Sequence, residues 1–157
     1  MNPQKIESFK IDHNKLKEGI YISRTDGDIV TYDLRTRKPN MGDYMDNITM
    51  HSVEHMIATY IRSSEISDSV IYFGPMGCQT GFYLLVRDNV SKEEVLSVLK
   101  DVLEKTISHE GDVFGASQIE CGNYKNLDME KAKVECRRYL DILNGYTPDF
   151  KYEERRK

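Results

Sequence analysis

The segment His51-Ser52-Val53-Glu54-His55 constrains the structure of this chain more than any other stretch. In a helix, His51 and His55 are one turn apart on the same face, and Glu54 lies beside them. Two imidazoles at this spacing can bind one divalent metal, and a neighbouring carboxylate can transfer protons. The segment therefore predicts a helix with a metal site and Glu54 as an acid–base group. Two surface histidines and a solvated glutamate are the alternative.

Length and composition indicate one globular domain. The chain has 157 residues, of which 39% are hydrophobic and 31% are charged. This suffices for one substantial hydrophobic core, so we expect a single domain over residues 1–157. The net charge of -4 gives no basis for binding nucleic acid. Residues 1–10 lack the apolar stretch of a signal peptide, and no apolar run approaches the ~20 residues that span a membrane.

The hydrophobic pattern predicts four strands and three helices. The strands are expected at residues 20–24, 29–35, 69–73 and 81–87. The helices are expected from about residue 47 to 62, from Ser91 to Ile107 and from Asp128 to Asn144. Because these elements follow no regular βαβ rhythm, we predict an α+β fold with a mainly antiparallel sheet packed against helices. The charged tail at 151–157 is expected to be frayed.

The cysteines suggest a third metal ligand. Cys121 precedes Gly122 in a predicted loop, where a thiolate can turn outward, and a soft sulfur complements the imidazoles of His51 and His55. Three ligands would leave a fourth position open, as in catalytic sites. A small buried residue is the alternative for Cys121. Cys136 falls on the apolar side of the last predicted helix and is assigned to the core. Three cysteines cannot all pair in one chain, so we expect a reducing cytoplasm.

Cys78 lies in a different setting, a bend that contains Gly74, Pro75, Gly77 and Gly81. Such a bend can present a side chain and let a ligand approach the backbone closely. A nearby divalent cation favours the thiolate form of cysteine, so Cys78 could serve as a base or an acid. An unreactive loop cysteine is the alternative.

Several motifs occur together in a specific order along the chain. They are Ser8-Phe9, Asp12-His13-Asn14, Asp33-Leu34-Arg35, His51 to His55, Pro75 to Gly81 and Cys121-Gly122. In this combination the chain resembles S-ribosylhomocysteine lyase, the LuxS family of autoinducer-2 synthases. The resemblance covers nearly the whole domain, and it implies an α+β homodimer with active sites at the subunit interface. One departure is Tyr72-Phe73, where some members have an acidic residue, so a carboxylate contact there is not carried over.

The resemblance also implies the metal and the acid–base pair. His51, His55 and Cys121 would hold iron(II), for which zinc or cobalt can substitute. Glu54 and Cys78 would be the residues that remove and return protons. The cation would polarise substrate oxygens rather than generate a hydroxide nucleophile.

The same resemblance implies that Ser8, His13 and Arg35 help to bind the substrate. Taken alone, His13 in its polar run is more typical of a surface histidine, and Ser8 carries no signal. Arg35 ends a predicted strand, where arginine usually pairs with a neighbouring acid. Its alternative is to hold the amino-acid carboxylate of the substrate. His109, at the end of a predicted helix, is expected to face solvent.

The implied substrate, S-ribosylhomocysteine, joins a ribose to homocysteine through sulfur at C5. Moving the carbonyl from C1 to C2 and then to C3 makes the C4 proton acidic and sets up β-elimination of homocysteine. Each shift needs a Lewis acid to stabilise negative charge on oxygen and a base to move a proton. The products would be homocysteine and 4,5-dihydroxy-2,3-pentanedione, the precursor of autoinducer-2.

Two other classes of protein remain open. An inverted-motif (HxxEH) zinc metallopeptidase would use Glu54 to activate a zinc-bound water and a distant glutamate such as Glu130 as third ligand. Glu130, however, falls in the first turns of a predicted helix and is more simply a solvated residue. The peptidase also leaves Cys78 without a role. The other class is a noncatalytic, metal-stabilised binding module. We predict the lyase.

Overall fold

A computed structural model describes residues 2–153 and contains all seven predicted elements. The strands are β1 (Gly19–Asp26), β2 (Ile29–Arg35), β3 (Val70–Pro75) and β4 (Gly81–Arg87), and the helices are α1 (Asn47–Ile61), α2 (Lys92–Ile107) and α3 (Met129–Asn144). Their ends differ from the predicted ones by only a few residues. Part of the tail that we expect to be frayed, residues 154–157, lies outside the described residues.

The four strands form one sheet in the order β1-β2-β4-β3, and every neighbouring pair is antiparallel. Leu34 in the second strand pairs with Ile20 on one side and Phe82 on the other, while Asp33 pairs with Tyr83. Because alternate residues of a strand point to opposite faces, Leu34 and Asp33 belong to different faces of the sheet. The prediction of an α+β fold with a mainly antiparallel sheet is confirmed.

All three helices contribute to the hydrophobic core on the Leu34 face of the sheet. Met56 of α1, Leu99 of α2 and Leu143 of α3 are fully buried in one cluster with Leu34 and Phe82. The opposite face carries Asp33, whose buried carboxylate pairs with Arg35. Among residues 2–153, no helix is both long and apolar enough to cross a bilayer.

Polar contacts fix where α1 and α3 begin. The Asp46 side chain accepts a hydrogen bond of 2.7 Å from the Thr49 N–H and so caps α1. Asp128 caps α3 in the same way, and its own N–H donates to the Ser52 hydroxyl at 2.8 Å. Asp46 also pairs with Lys131 of α3 at 2.6 Å. These contacts hold the chain that precedes α3 against the helix that carries the histidines.

His109 is predicted to face solvent, but its imidazole packs against other rings. It is half-buried, with its ring 4.7 Å from that of Phe114 and 6.0 Å from that of Tyr60. The Tyr60 hydroxyl donates to His109 Nδ1 at 2.8 Å, and His109 Nε2 donates to the Asp112 carbonyl at 2.9 Å. The prediction is wrong because it considered only the end of a helix, whereas the ring partners come from α1 and the following loop.

Candidate active site

The side chains of His51, His55 and Cys121 converge at one point. Their ligand atoms all lie within 4.8 Å of one another, and each residue is half-buried. The sulfur of Cys121 is 3.4 Å from Nε2 of His51. Two nitrogens and one sulfur at this separation could hold a metal ion. The predicted sharing of one helix face by the two histidines is confirmed, and Cys121 is half-buried with its sulfur directed at them.

Backbone carbonyls set the orientation of both imidazoles. His55 Nδ1 lies 2.7 Å from the carbonyl oxygen of Phe114, and His51 Nδ1 lies 3.0 Å from that of Asn126. A carbonyl only accepts, so each Nδ1 carries the hydrogen and each Nε2 keeps a free lone pair. The Asn126 amide nitrogen, 3.2 Å from His51 Nδ1, donates to Asn47. The donor set therefore fits a divalent metal.

A tight loop between α2 and α3 brings Cys121 to the histidines. The Cys121 N–H donates to the Ser117 carbonyl at 3.0 Å, and the Asn123 N–H donates to the Cys121 sulfur at 3.4 Å. Gly115 in this loop has a φ of 70°, and a Cβ there would lie 3.2 Å from His55 Nδ1. A side chain at this position would strain the backbone and crowd the ring, so glycine is required.

Glu54 lies next to His51 and His55 but outside the group of converging ligand atoms. The group of ligand atoms that come within 4.8 Å of one another comprises His51, His55 and Cys121 but not a Glu54 oxygen. Glu54 is half-buried, and its carboxylate makes no hydrogen bond or ion pair with any other residue in the described range 2–153. An unpaired carboxylate in this position is free to accept or deliver a proton.

The residues predicted to bind substrate, and the predicted acid–base residue Cys78, line a cavity of about 470 Å³ at the end of the β3–β4 hairpin. Ser8, His13, Arg35 and Cys78 all line it. The rest of its wall is formed by Phe9, Asn40, Pro75, Met76, Gly77 and Tyr83. The Cys78 thiol is exposed, as expected for a residue in this glycine-rich bend. One cavity therefore contains a nucleophilic sulfur, a cation and several hydrogen-bonding groups.

The guanidinium of Arg35 is buried and hydrogen-bonded to Asp33 and Thr80. It donates to the two carboxylate oxygens of Asp33 at 3.1 and 2.6 Å, and one terminal nitrogen donates to the Thr80 hydroxyl at 2.7 Å. Tyr152 donates to the same Asp33 carboxylate at 2.7 Å. Burial, and next the charge of Asp33, raises the pKa of Tyr152, so its hydroxyl stays protonated. Arg35 thus forms the ion pair expected of an arginine at a strand end.

Within one chain the metal ligands and the cysteine cavity are separate. None of His51, Glu54, His55 or Cys121 lines the cavity around Cys78, as far as residues 2–153 are concerned. The structure therefore brings the predicted residues together as two groups of four: one around the imidazoles and one around the thiol.

The sequence departs from the family pattern at Tyr72 and Phe73. Their side chains point to opposite sides of the strand. Phe73 is buried and stacks on Phe82, with ring centroids 5.1 Å apart. Tyr72 is half-exposed, and its ring covers the backbone of Gly74. Only Tyr72 therefore lies on the outer face of the hairpin, while Phe73 belongs to the core.

Two further candidates lie away from both groups. Glu130 is exposed in the first turn of α3 and is not among the atoms that converge with His51 and His55. Nothing in the structure therefore favours the metallopeptidase arrangement. Cys136 is 1% exposed, and burial raises the pKa of its thiol. Its assignment to the core is confirmed.

Thr80, Phe114 and Asn126 also contact the site residues, and none of them was predicted from the sequence. Phe114 and Asn126 contribute backbone carbonyls, for which a side-chain pattern gives no signal. Thr80 could have been predicted as a neighbour of the thiol, because it follows Cys78 by two residues in the same bend. Its hydroxyl lies 3.0 Å from the Cys78 sulfur.

Comparison with known proteins identifies the family. The family model described as S-Ribosylhomocysteinase (LuxS) matches residues 6–147. The chain belongs to the LuxS family. The S-ribosylhomocysteine lyase of Finegoldia magna is 42% identical over 145 residues, which cover 90% of this chain and 92% of that protein. The S-ribosylhomocysteine lyase of Borrelia garinii subsp. bavariensis is 40% identical over 90% of this chain and 94% of that protein. That of Phocaeicola vulgatus is 40% identical over 94% of this chain and 95% of that protein.

Family membership agrees with the geometry of the site. A LuxS protein is a lyase that acts on a small molecule with the help of a metal, and His51, His55 and Cys121 form a group that could hold one. The resemblance recognised in the sequence is confirmed.

Proposed function

We propose that this protein cleaves S-ribosylhomocysteine to homocysteine and 4,5-dihydroxy-2,3-pentanedione, the precursor of autoinducer-2. The observation that carries the proposal is the convergence of His51, His55 and Cys121 within 4.8 Å in a chain of the LuxS family. His51, His55 and Cys121 would hold iron(II), with zinc or cobalt as substitutes. The ion would supply a Lewis acid that polarises substrate oxygens during carbonyl migration.

Cys78 and Glu54 are the proposed proton carriers. Each carbonyl shift removes a proton from one carbon and returns it to the neighbouring carbon, so a base must become an acid within one cycle. Cys78 is exposed at the wall of the cavity and can perform this transfer on a bound sugar. Glu54, which has no partner in the described chain, is suited to take the C4 proton as homocysteine thiolate leaves.

Ser8, His13 and Arg35 are the proposed substrate-binding residues. Support comes from their position in the wall of one cavity of about 470 Å³ together with Cys78. Their hydroxyl, imidazole and guanidinium groups can donate hydrogen bonds to the hydroxyls and the carboxylate of the substrate. Because Asp33 already binds two of the Arg35 nitrogens, Arg35 would contribute to the substrate site mainly through its remaining N–H groups and its charge.

We propose that the active unit is a homodimer with active sites at the subunit interface. Support comes from the separation of the two groups within one chain, since neither the metal ligands nor Glu54 line the cavity around Cys78. A twofold axis would place the metal group of one chain opposite the cavity of the other. Ile119, two residues before Cys121 and 98% exposed, is the kind of apolar side chain that a partner would cover.

We further propose that the protein works in the cytoplasm, without nucleic acid or membrane as a partner. Support comes from three free cysteines, two of which the reaction needs in reduced form, and from a net charge of -4.

The decisive experiment measures thiol release from S-ribosylhomocysteine by anaerobically purified, iron-loaded protein. We expect homocysteine from the wild-type protein and none from Cys78→Ala, which keeps all three metal ligands. A wild-type protein with full metal content that releases no thiol would contradict the proposal. Cleavage of a peptide substrate instead would indicate a metallopeptidase.

A further inference from the structure

The Thr80 hydroxyl lies between the Arg35 guanidinium and the Cys78 sulfur. Its oxygen is 2.7 Å from Arg35 Nη1 and 3.0 Å from Cys78 Sγ, whereas Arg35 Nη1 is 3.9 Å from the same sulfur. Thr80 is 2% exposed, so water does not compete for these bonds. The hydroxyl is thus the nearer polar neighbour of the sulfur.

The contact with Arg35 restricts the hydrogen bonds that the Thr80 hydroxyl can make. A guanidinium has donors only, so in the contact with Arg35 the Thr80 oxygen must accept. The hydroxyl has one hydrogen left to donate. Within residues 2–153, Thr80 Oγ1 has no hydrogen-bond partner besides Arg35 and Cys78. A thiolate has no hydrogen to donate, so when Cys78 is ionised the Thr80 hydrogen points at the sulfur, and this charged acceptor binds it more strongly than a neutral thiol would.

Neighbouring bonds make this donor rigid. Asp33 holds the other side of the Arg35 guanidinium with two hydrogen bonds. The Thr80 carbonyl accepts from the backbone N–H groups of Thr36 and Arg37, both at 3.0 Å. Side chain and backbone of Thr80 are thereby fixed from two directions, so the O–H bond is directed at the sulfur before any substrate arrives.

We propose that Thr80 is a positioning residue whose hydroxyl donates to the Cys78 sulfur and so stabilises its thiolate, with Arg35 acting on the sulfur mainly through the Thr80 hydroxyl. The consequence for catalysis rests on the proposed function, in which Cys78 removes and returns protons. The hydrogen bond itself does not depend on which substrate is turned over.

The test compares Thr80→Val, which removes the hydroxyl but keeps the shape, with Thr80→Ser, which keeps the hydroxyl. Thr106→Val is the matched control, because Thr106 is also buried and, among residues 2–153, its hydroxyl bonds only to the Val102 carbonyl within α2. In each variant, the rate of iodoacetamide alkylation at Cys78 is measured against pH, with the Cys78 peptide quantified by mass spectrometry. Circular dichroism checks the fold, and Thr80→Ala replaces the valine variant if the latter does not fold.

For Thr80→Val we expect the midpoint of the alkylation profile to move up by about one pH unit, with roughly tenfold slower alkylation below the midpoint, because a hydrogen bond to a charged group is lost. Thr80→Ser and Thr106→Val should follow the wild-type profile. An unchanged midpoint in Thr80→Val, or an equal shift in Thr80→Ser, would overturn the inference.

Lyase kinetics separate this inference from the proposed function. In an active enzyme, Thr80→Val should lower kcat about tenfold and leave KM nearly unchanged, since the hydroxyl faces the sulfur and not the substrate. A shifted alkylation profile in a protein that releases no homocysteine would contradict the proposed function alone. An active lyase with an unshifted profile would contradict only the role of Thr80.

Discussion

The proposed metal ligands His51 and His55 depend on carbonyl groups that fix each ring. Phe114 and Asn126 hold the Nδ1 hydrogens of His55 and His51, which leaves both Nε2 lone pairs free, and His51 Nε2 lies 3.4 Å from the Cys121 sulfur. Hydrogen bonds of this kind fix ring orientation and raise the basicity of a ligating imidazole. The half-buried setting of all three ligands limits competition by water.

We expect His51→Ala, His55→Ala and Cys121→Ala each to lose most of the bound metal and all lyase activity, because two ligands are too few to retain a catalytic metal. Metal per chain is measured by elemental analysis after dialysis. Glu130→Ala is the control and should keep its metal. Full metal content in Cys121→Ala would contradict the three-ligand site, and metal loss in Glu130→Ala would support the peptidase arrangement.

Glu54→Gln should bind metal normally and lose activity by ~10²–10⁴-fold, the usual contribution of a positioned proton carrier. Glutamine keeps the shape and the hydrogen-bonding capacity of the side chain but cannot cycle a proton. Because elimination needs a base after the carbonyl has moved, a ketone intermediate should accumulate, and carbon NMR of labelled substrate can detect it. Loss of metal in this variant would make Glu54 a ligand instead.

The helix that carries the histidines depends on its N-terminal cap. Asp46 accepts from the Thr49 N–H and pairs with Lys131, and these contacts, that of Lys131 first, lower the pKa of Asp46 to about 2. A folded-state pKa below the ordinary 3.8 means that the ionised group stabilises the fold above that value. Its contribution is lost as the pH falls from 3.8 toward 2.

Asp46→Ala should therefore lower the free energy of unfolding by about 1 kcal/mol near neutral pH, mainly through the lost cap. Asp46→Asn should cost less, because asparagine also caps helices and the pair with Lys131 is half-exposed and screened by solvent. Urea unfolding at several pH values measures both. The difference between wild type and Asp46→Asn should vanish below the folded pKa, because a protonated aspartate, like asparagine, caps only as a neutral group; a difference that persisted there would contradict the assigned ionisation.

The third helix contributes packing rather than chemistry. Cys136 is buried among Leu34, Val53 and Tyr139 around a small apolar space. We expect Cys136→Ala to lower the free energy of unfolding by about 1 kcal/mol and to leave metal content and lyase activity unchanged. Denaturant unfolding and the thiol assay test these two expectations. A drop in metal content would mean that this cysteine, and not only Cys121, serves the metal.

For the molecule as a whole, the separation of metal ligands and cysteine cavity predicts complementation between two inactive variants. We mix Cys78→Ala with His51→Ala under conditions in which subunits exchange. With random reassortment, half of the dimers are mixed and each has one intact interface site, so about a quarter of the wild-type activity should return. Cys78→Ala mixed with Glu54→Gln is a second pair with the same expectation. No recovery, with mixed dimers verified by mass spectrometry, would contradict a site built from two chains.

Local sequence determined the elements and the chemical character of this protein. Alternating and helical hydrophobic patterns predicted β1 to β4 and α1 to α3, because these patterns depend on neighbours only a few residues away. The spacing of His51 and His55 on one helix face, and the softness of the Cys121 sulfur, predicted the metal ligands from residue chemistry. The ordered motifs predicted the family.

Only the tertiary structure decided how these parts are held and where they meet. The carbonyls that orient the histidines belong to residues 59 and 75 positions away in the chain, and their contacts follow from how the loop before α3 packs on α1. The same holds for the ring contacts of His109 and for the Thr80 hydroxyl between Arg35 and Cys78. The separation of the two groups of site residues also depends on the packing of the whole chain. A one-dimensional pattern encodes short-range preferences, whereas distances between remote residues are fixed only when the core closes.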